Sequence, residues 1–235
     1  MVRTNVYVDG FNLYHGLRDL ASGQSESPSW KWLDLMALSQ RLVPADEVNL
    51  IRYFTARLNS FGNSPERLQR QQTYIRALQS RPRLAVHLGK FSAQQRWMPL
   101  VKPPGPKSRR LARLLGIRIR THRDGNATIK VWRLEEKGSD VNLAAHLLMD
   151  AMRGDFDKAV VISNDTDLCE PIRIVATDFG LPVVVVNPRG HRHQAKELQK
   201  IATDKRNLRL QAVIASQLPS PLFAEFGRVA KPDGW

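Results

Sequence analysis

Four aspartates stand at places in the sequence from which they could share one site. Asp9 ends an apolar run in "VYVDGFN", Asp140 stands in "EKGSDVNLAAHLL", and Asp165 and Asp167 directly follow "VVIS". Carboxylates brought within a few ångströms of one another raise each other's pKa and resist the loss of water, so their convergence requires compensation. Mg²⁺ or Mn²⁺ can supply it, because these ions take hard oxygen ligands and keep several waters. The four aspartates are therefore our candidate metal ligands and catalytic residues.

Each candidate residue also has a purely structural explanation. Asp9 could be only a turn acid, and Asp140 could simply favour the positive end of a helix. Asp165 could cap a helix, with Asp167 an acid of its first turn. Asn12, our fifth candidate catalytic residue, could cap the first helix or hydrogen-bond a carboxylate or phosphate near the cation. It is the joint placement of these residues that favours a metal site.

The segments between the aspartates alternate between strand-like and helical patterns, which is typical of a parallel sheet covered by helices. In open parallel sheets the reactive crevice lies beyond the carboxyl ends of the strands, where the strand order reverses. If the strand at 6–8 neighbours the strand at 159–163, Asp9, Asp165 and Asp167 meet in this crevice. Asp140 could then contribute a fourth carboxylate. The other predicted strands are 48–57, 84–91, 129–134 and 182–186, and the predicted helices include 65–79, 139–152 and one ending near 179.

The chain is strongly basic, with 36 Lys and Arg against 22 Asp and Glu and a formal net charge of +14. Such a charge displaces counterions from a phosphate backbone and attracts it over long range. Nucleic acid is therefore the expected partner, with an anionic membrane surface or a merely solvated basic surface as alternatives. Ten Lys and Arg but no Asp or Glu lie from Lys90 to Arg123. The candidate nucleic-acid contacts in this stretch are Lys107, Arg109, Arg110, Arg113 and Arg118.

Length and composition indicate one α/β domain, because 235 residues with 42% hydrophobic content can form a sizeable core. The segment at about 92–128 holds Pro and Gly among its basic residues and predicts an insertion projecting from that core. A proline-rich tail at about 219–235 predicts irregular structure. Cys169 is the single cysteine, which excludes an intrachain disulfide and a cysteine-rich zinc site. The sequence shows no signal peptide or bilayer-spanning apolar run, so we expect a soluble cytoplasmic protein, for which homo-oligomerisation remains open.

Taken together, these motifs resemble the NYN-domain family, the LabA-like branch of the PIN-like nucleases. The resemblance implies a three-layer α/β/α PIN-like (Rossmannoid) fold with a central, mainly parallel sheet in the order 3-2-1-4-5. The family's acidic positions fall on Asp9, Asp140, Asp165 and Asp167, and its polar position falls on Asn12. The matching segments are "VYVDGFNLYHGL" at 6–17, "RYFTARL" at 52–58, "KGSDVNLAAHLLMDA" at 137–151, "AVVISNDTDLCEPIRIV" at 159–175, "VVVVNP" at 183–188 and "KPDGW" at 231–235.

The resemblance implies metal-dependent cleavage of RNA, so that RNA is favoured over DNA as the nucleic-acid partner. The expected function is a Mg²⁺- or Mn²⁺-dependent ribonuclease that acts mainly on single-stranded RNA through a metal-activated water. A non-catalytic RNA-binding or adaptor module of the same fold is the alternative. Phosphatase chemistry of the haloacid-dehalogenase kind is disfavoured, because Phe11 stands where a second aspartate would be needed. Nucleotide-cofactor binding is also disfavoured, because no G-x-G-x-x-G follows the first strand and no Walker-type lysine loop exists. Asn164 stands where family members often have glycine, and asparagine tolerates the positive φ of such a turn.

Overall fold

The computed structural model describes residues 1–22, 29–62, 64–191, 194–224 and 227–235. The strands are β1 Arg3–Asp9, β2 Glu47–Ala56, β3 Leu84–Pro99, β4 Ile119–Thr121, β5 Ala127–Lys137, β6 Lys158–Ile162, β7 Val183–Asn187, β8 Asp204–Asn207, β9 Leu222–Ala224 and β10 Gly227–Val229. The α-helices are α1 Gly10–Ala21, α2 Leu35–Leu42, α3 Pro65–Gln79, α4 Pro106–Leu114, α5 Ser139–Arg153, α6 Cys169–Arg173, α7 Lys196–Ile201 and α8 Leu210–Ile214. None of these helices combines the length and the apolar character that crossing a membrane requires.

Within the described part of the chain, eight strands form one sheet in the order β4-β5-β3-β2-β1-β6-β7-β8. The pairs from β3–β2 to β7–β8 are parallel, and β4–β5 is antiparallel. The predicted α/β class with a large, mainly parallel central sheet is confirmed. The predicted order 3-2-1-4-5 is wrong for the whole sheet, which has more strands than predicted. Two of them, β4 ("IRT") and β8 ("DKRN"), are short and largely polar, so they lack the apolar pattern that predicts a strand.

The chain divides into two compact units, of which the first comprises 1–90 and 137–235. Its sheet is buried on both faces, as is usual for parallel strands between helices. Val6 and Val8 of β1 face one core cluster, which includes Leu13 and Leu17 of α1. Tyr7 faces the opposite cluster, which includes residues of α5 and α6. Because side chains alternate along a strand, this pattern also determines the face of the sheet to which the side chain of the last strand residue, Asp9, belongs.

Helix α1 starts without an intervening loop at the end of β1, and glycine makes this possible. A Cβ atom on Gly10 would lie 2.7 Å from the carbonyl oxygen of Phe54 and 2.8 Å from the ring of Tyr53. A Cβ atom on Gly16 would lie 2.6 Å from the backbone of Pro188. The glycine that follows Asp9 in the sequence is therefore required by packing, because it lets the start of α1 lie against β2.

The tail, for which we predicted irregular structure, contains the antiparallel pair β9–β10. Leu222 and Val229 of this pair join a third apolar cluster with the fully buried Trp32. The Trp235 ring lies edge-on to Trp32 at a centroid distance of 6.3 Å. The last residues of the chain thus contribute to a core of the first unit.

The second unit comprises 91–136. It contains the later part of β3, α4, the antiparallel pair β4–β5 and their connecting turn. The basic segment predicted at about 92–128 lies within this unit. Helix α4 buries none of its residues, whereas Ala127 is buried.

Candidate metal centre

Three of the four predicted aspartates converge in the first unit. One carboxylate oxygen each from Asp9, Asp140 and Asp165 lies within 4.8 Å of the other two. Strands β1 and β6 pair in parallel, with Val8 opposite Ile162. This pairing brings Asp9, the last residue of β1, and the residues that follow β6 to the same edge of the sheet. It is the condition under which Asp9 and Asp165 were expected to meet.

Asp9 is the most enclosed of the three acids, with 2% of its surface exposed. Asn12 donates to its carboxylate from the backbone nitrogen at 3.0 Å and from Nδ2 at 2.7 Å, and Ser163 Oγ donates at 2.9 Å. Burial raises the pKa of Asp9, and the charge of Asp165 adds to this, while the hydrogen bonds lower it. Asn12 thus fulfils one of the two roles considered for it, because it hydrogen-bonds the Asp9 carboxylate. The residue that caps α1 is Asp9 itself.

Asp165 caps the 3₁₀ turn Thr166–Leu168, and its Oδ1 accepts from the backbone nitrogen of Asp167 at 3.1 Å. Its own backbone nitrogen donates to Ser163 Oγ at 3.1 Å, so Ser163 connects Asp165 with Asp9. Asp167 is exposed, and its carboxylate is not part of the three-acid group found among the described residues. A role for Asp167 as a metal ligand stays a prediction.

Asp140 occupies the first turn of α5, where an acid interacts favourably with the helix dipole. Gly138 caps this helix with a φ of 99°, a left-handed conformation that glycine adopts without steric cost. This glycine lets the chain turn from β5 into α5 within one residue. Both explanations considered for Asp140 therefore hold together, since the same residue starts a helix and joins the acidic group.

A buried ion pair that the sequence analysis missed fixes α5 on the sheet. The carboxylate of Asp150, which is fully buried, accepts from Arg52 Nε at 2.7 Å, from Arg52 Nη2 at 2.8 Å and from Tyr7 Oη at 2.7 Å. Burial and the charge of Asp150 raise the pKa of Tyr7. Because these residues belong to α5, β2 and β1, the network holds together the elements that carry Asp140 and Asp9. The sequence signal that could have revealed this ion pair is an acid, Asp150, on the same face of α5 as the buried Leu143 and Leu147.

Two histidines from distant parts of the chain meet beside Phe54. The His87 ring stacks on Phe54 at a centroid distance of 4.7 Å and lies 4.1 Å from the ring of His146. Arg52 Nη1 lies 3.3 Å from His87 Nε2. Burial lowers the pKa of His87 to about 4, with His146 and Arg52 adding to the effect. Burial also lowers the pKa of His146. No motif joins these residues, which is why sequence reasoning missed the pair.

We expect acidification from pH 7 towards pH 4 to lower the free energy of unfolding through His87. An unfolded histidine has a pKa near 6.5, so in this window the unfolded chain binds more protons than the folded chain. With screening by solvent, the effect is on the order of 1–2 kcal/mol. Urea unfolding at pH 7 and pH 4.5 measures it, and His87→Gln should lose less stability than the parent. Equal losses in the two proteins would contradict this assignment.

The turn after β6 does not use the backbone conformation expected for Asn164. Among the described residues other than glycine, only Arg83 has a positive φ. Instead, Asn164 Oδ1 accepts from the backbone nitrogen of Ala195 at 2.8 Å. The side chain therefore connects this turn to the start of α7, a role that glycine could not perform.

The predicted nucleic-acid contacts are all exposed and lie in the second unit. Helix α4 carries four of them, and the fifth lies just before β4. Contact of these side chains with nucleic acid stays a prediction. The residues are Lys107, Arg109, Arg110, Arg113 and Arg118.

Comparisons with known proteins add a relative and a solved structure. The chain is 28% identical, over an alignment of 257 positions that covers 100% of this chain and 75% of the relative, to 6-hydroxy-3-succinoylpyridine 3-monooxygenase HspA of Pseudomonas putida (strain DSM 28022 / S16). A protein of unknown function from Vibrio parahaemolyticus RIMD 2210633 has a similar fold, with a TM-score of 0.50 and 15% identity, covering 88% of this chain and 93% of that one. No family model matches the chain.

The relative overturns the predicted function. The relative is named a monooxygenase, not a nuclease, and its similarity extends along the whole length of this chain. The predicted Mg²⁺- or Mn²⁺-dependent ribonuclease is therefore wrong, and so is its alternative, the non-catalytic RNA-binding or adaptor module. The physical reason is that clustered carboxylates require a compensating cation, whereas the reaction carried out beside that cation depends on the substrate and on the groups around it. The three acids remain a candidate metal centre, but they do not specify hydrolysis.

Proposed function

We propose that this protein is an oxidoreductase of the monooxygenase type. The observation that carries the proposal is its 28% identity, along its whole length, to the P. putida monooxygenase. An enzyme of this type places one atom of O₂ in a carbon–hydrogen bond of its substrate. The other atom leaves as water, which takes up two protons and two electrons from an external donor.

The proposed substrate class is an anionic, hydroxylated pyridine. The relative's name specifies such a compound, a pyridine that carries a hydroxyl group and a succinoyl side chain. A chain with a net charge of +14 would attract an anion of this kind over long range. The positive charge, from which we predicted a nucleic-acid partner, therefore has a second explanation.

The acidic site is proposed to hold Mg²⁺ or Mn²⁺ through Asp9, Asp140 and Asp165. Their oxygens lie within 4.8 Å of one another and are hard donors, which suits these ions. The group differs from the two-histidine, one-carboxylate set that is typical of non-haem iron oxygenases. When bound, the cation would supply a fixed positive charge for anionic oxygens of the substrate. Asn12 and Ser163 would keep the Asp9 carboxylate in a binding orientation through their hydrogen bonds.

We further propose kinship in fold, and not in activity, with the PIN-like family. Its support is that β3, β2, β1, β6 and β7 follow one another in the sheet, which is the order 3-2-1-4-5 when only these strands are numbered along the chain. The acids that follow β1 and β6 also stand where the NYN resemblance assigns acidic positions. Alignment of many relatives in which positions 9 and 165 seldom carry acids would count against this kinship.

The activity can be tested with ¹⁸O₂. The purified chain is incubated with 6-hydroxy-3-succinoylpyridine, reduced nicotinamide or flavin cofactors and Mn²⁺, and the products are analysed by mass spectrometry. The proposal predicts a product that carries one ¹⁸O atom and that is lost in Asp165→Asn. The P. putida relative serves as the positive control. If the relative incorporates ¹⁸O and this chain does so with no member of a panel of hydroxylated pyridines, the proposed function is refuted.

A further inference from the structure

The second unit contains an arginine-lined cleft that shares no residue with the three-acid group. Its cavity measures about 680 Å³, which is within the range of roughly 300–1,000 Å³ typical of small-ligand sites. Among the residues that the structure describes, its lining includes four arginines and one tryptophan but no carboxylate. These residues are Trp97, Arg109, Arg113, Arg118 and Arg120.

The stretch of chain that carries the arginines of the cleft supplies no carboxylate to neutralise them. No Asp or Glu occurs from Lys90 to Arg123. Arg109 and Arg113 are one helical turn apart on α4, where like charges repel each other. An anionic ligand would relieve this repulsion, and guanidinium groups bind phosphate oxygens in a two-pronged geometry. The electrostatics of the cleft therefore favour a ligand with more than one phosphate charge.

Trp97 forms one wall of the cleft, and its surroundings indicate a second property of the ligand, a planar ring. The guanidinium carbon of Arg120 lies 3.9 Å from the centre of the Trp97 ring, so the guanidinium covers one face of the indole. Ile117 and Ile119 add apolar groups to the lining. Nucleobases stack on aromatic rings and on guanidinium planes. The cleft thus combines contacts for phosphates with contacts for a planar ring.

We infer that this cleft binds a free nucleotide that carries two or more phosphates. The phosphates contact the arginines, and the base packs against the wall that contains Trp97. The cavity volume favours one small molecule over a nucleic-acid strand, whose binding depends on an extended basic groove. This inference goes beyond the proposed oxidation and does not depend on it.

Calorimetry with the full chain tests the inference in about 0.15 M salt, where weak surface attraction is screened. The probes are ADP, pyrophosphate, adenosine and a ten-nucleotide single-stranded DNA. The double variant Arg113→Gln/Arg118→Gln should raise the Kd for ADP by about tenfold or more. The matched control is Arg110→Gln/Arg123→Gln, which removes the same charge from exposed positions outside the cleft lining. It should change the Kd by less than about twofold.

Several outcomes would overturn the inference. They are failure of the parent to bind ADP, equal weakening in both double variants, pyrophosphate binding as tight as ADP binding, and oligonucleotide binding without ADP binding. Hydrogen exchange on the parent provides a readout that needs no variant. ADP should protect backbone amides within 106–120, and protection confined to other segments would contradict the proposed site.

Discussion

Replacing Asp165 with asparagine is expected to weaken Mn²⁺ binding by at least about 100-fold, more than the 10- to 100-fold typical when a residue that only supports a metal ligand is changed. Asparagine keeps the size of the side chain and can still accept the hydrogen bond that Asp165 Oδ1 receives from the Asp167 backbone. The fold of the turn should therefore persist. What is lost is one of three negative charges that lie within 4.8 Å of each other. Titration calorimetry with MnCl₂ measures the change.

Asp167→Asn is the matched control for this experiment. It removes the same charge two residues further along the chain, from an exposed side chain outside the three-acid group. We expect it to leave most of the Mn²⁺ affinity intact. Similar weakening in the two variants would show that the cation responds to the overall charge of the turn and would contradict the proposed ligand set.

Replacing Asp150 with alanine is expected to lower the free energy of unfolding by about 3–5 kcal/mol, because it leaves the charge of Arg52 without its buried partner. The Arg52 side chain is only 15% exposed, so water cannot fully replace the carboxylate. Tyr7 Oη loses its acceptor as well. For a chain of this size the loss corresponds to a melting temperature lower by roughly 10 °C or more. Urea unfolding followed by circular dichroism measures it.

Asp178→Ala provides the comparison for Asp150. Asp178 pairs with Arg173 at 3.1 Å, but both side chains of this pair are largely exposed. Exposed pairs contribute about 1 kcal/mol or less, so this variant should unfold close to the parent. Comparable destabilisation by the two substitutions would contradict the view that the Asp150 network anchors α5.

The sequence was most informative where the neighbouring residues in the chain determine the start of a helix or the end of a strand. Helix α3 begins at Pro65 after the capping Ser64, as predicted, because proline and serine favour those positions. Asp9 and Asp165 each follow an apolar run, and parallel pairing of these runs brings the following residues together. Both patterns depend on neighbours in the chain, which is why they can be interpreted without coordinates.

Other features depend on contacts that no local pattern encodes. Asp165 and Asp167 looked equivalent in the sequence, and only the 3₁₀ turn separates the one in the acidic group from the exposed one. His87 and His146 come together through the packing of α5 on the sheet. The carboxylate motif also could not predict the type of reaction, because the same carboxylates bind a cation in hydrolytic and in other enzymes.

Anomalous diffraction from crystals grown with Mn²⁺ tests the central claim most directly, because it locates the ion without reference to activity. We expect one strong peak at bonding distance from carboxylate oxygens of Asp9, Asp140 and Asp165. Binding of Mn²⁺ in solution together with a peak only elsewhere, for example beside Asp167 alone, would contradict it.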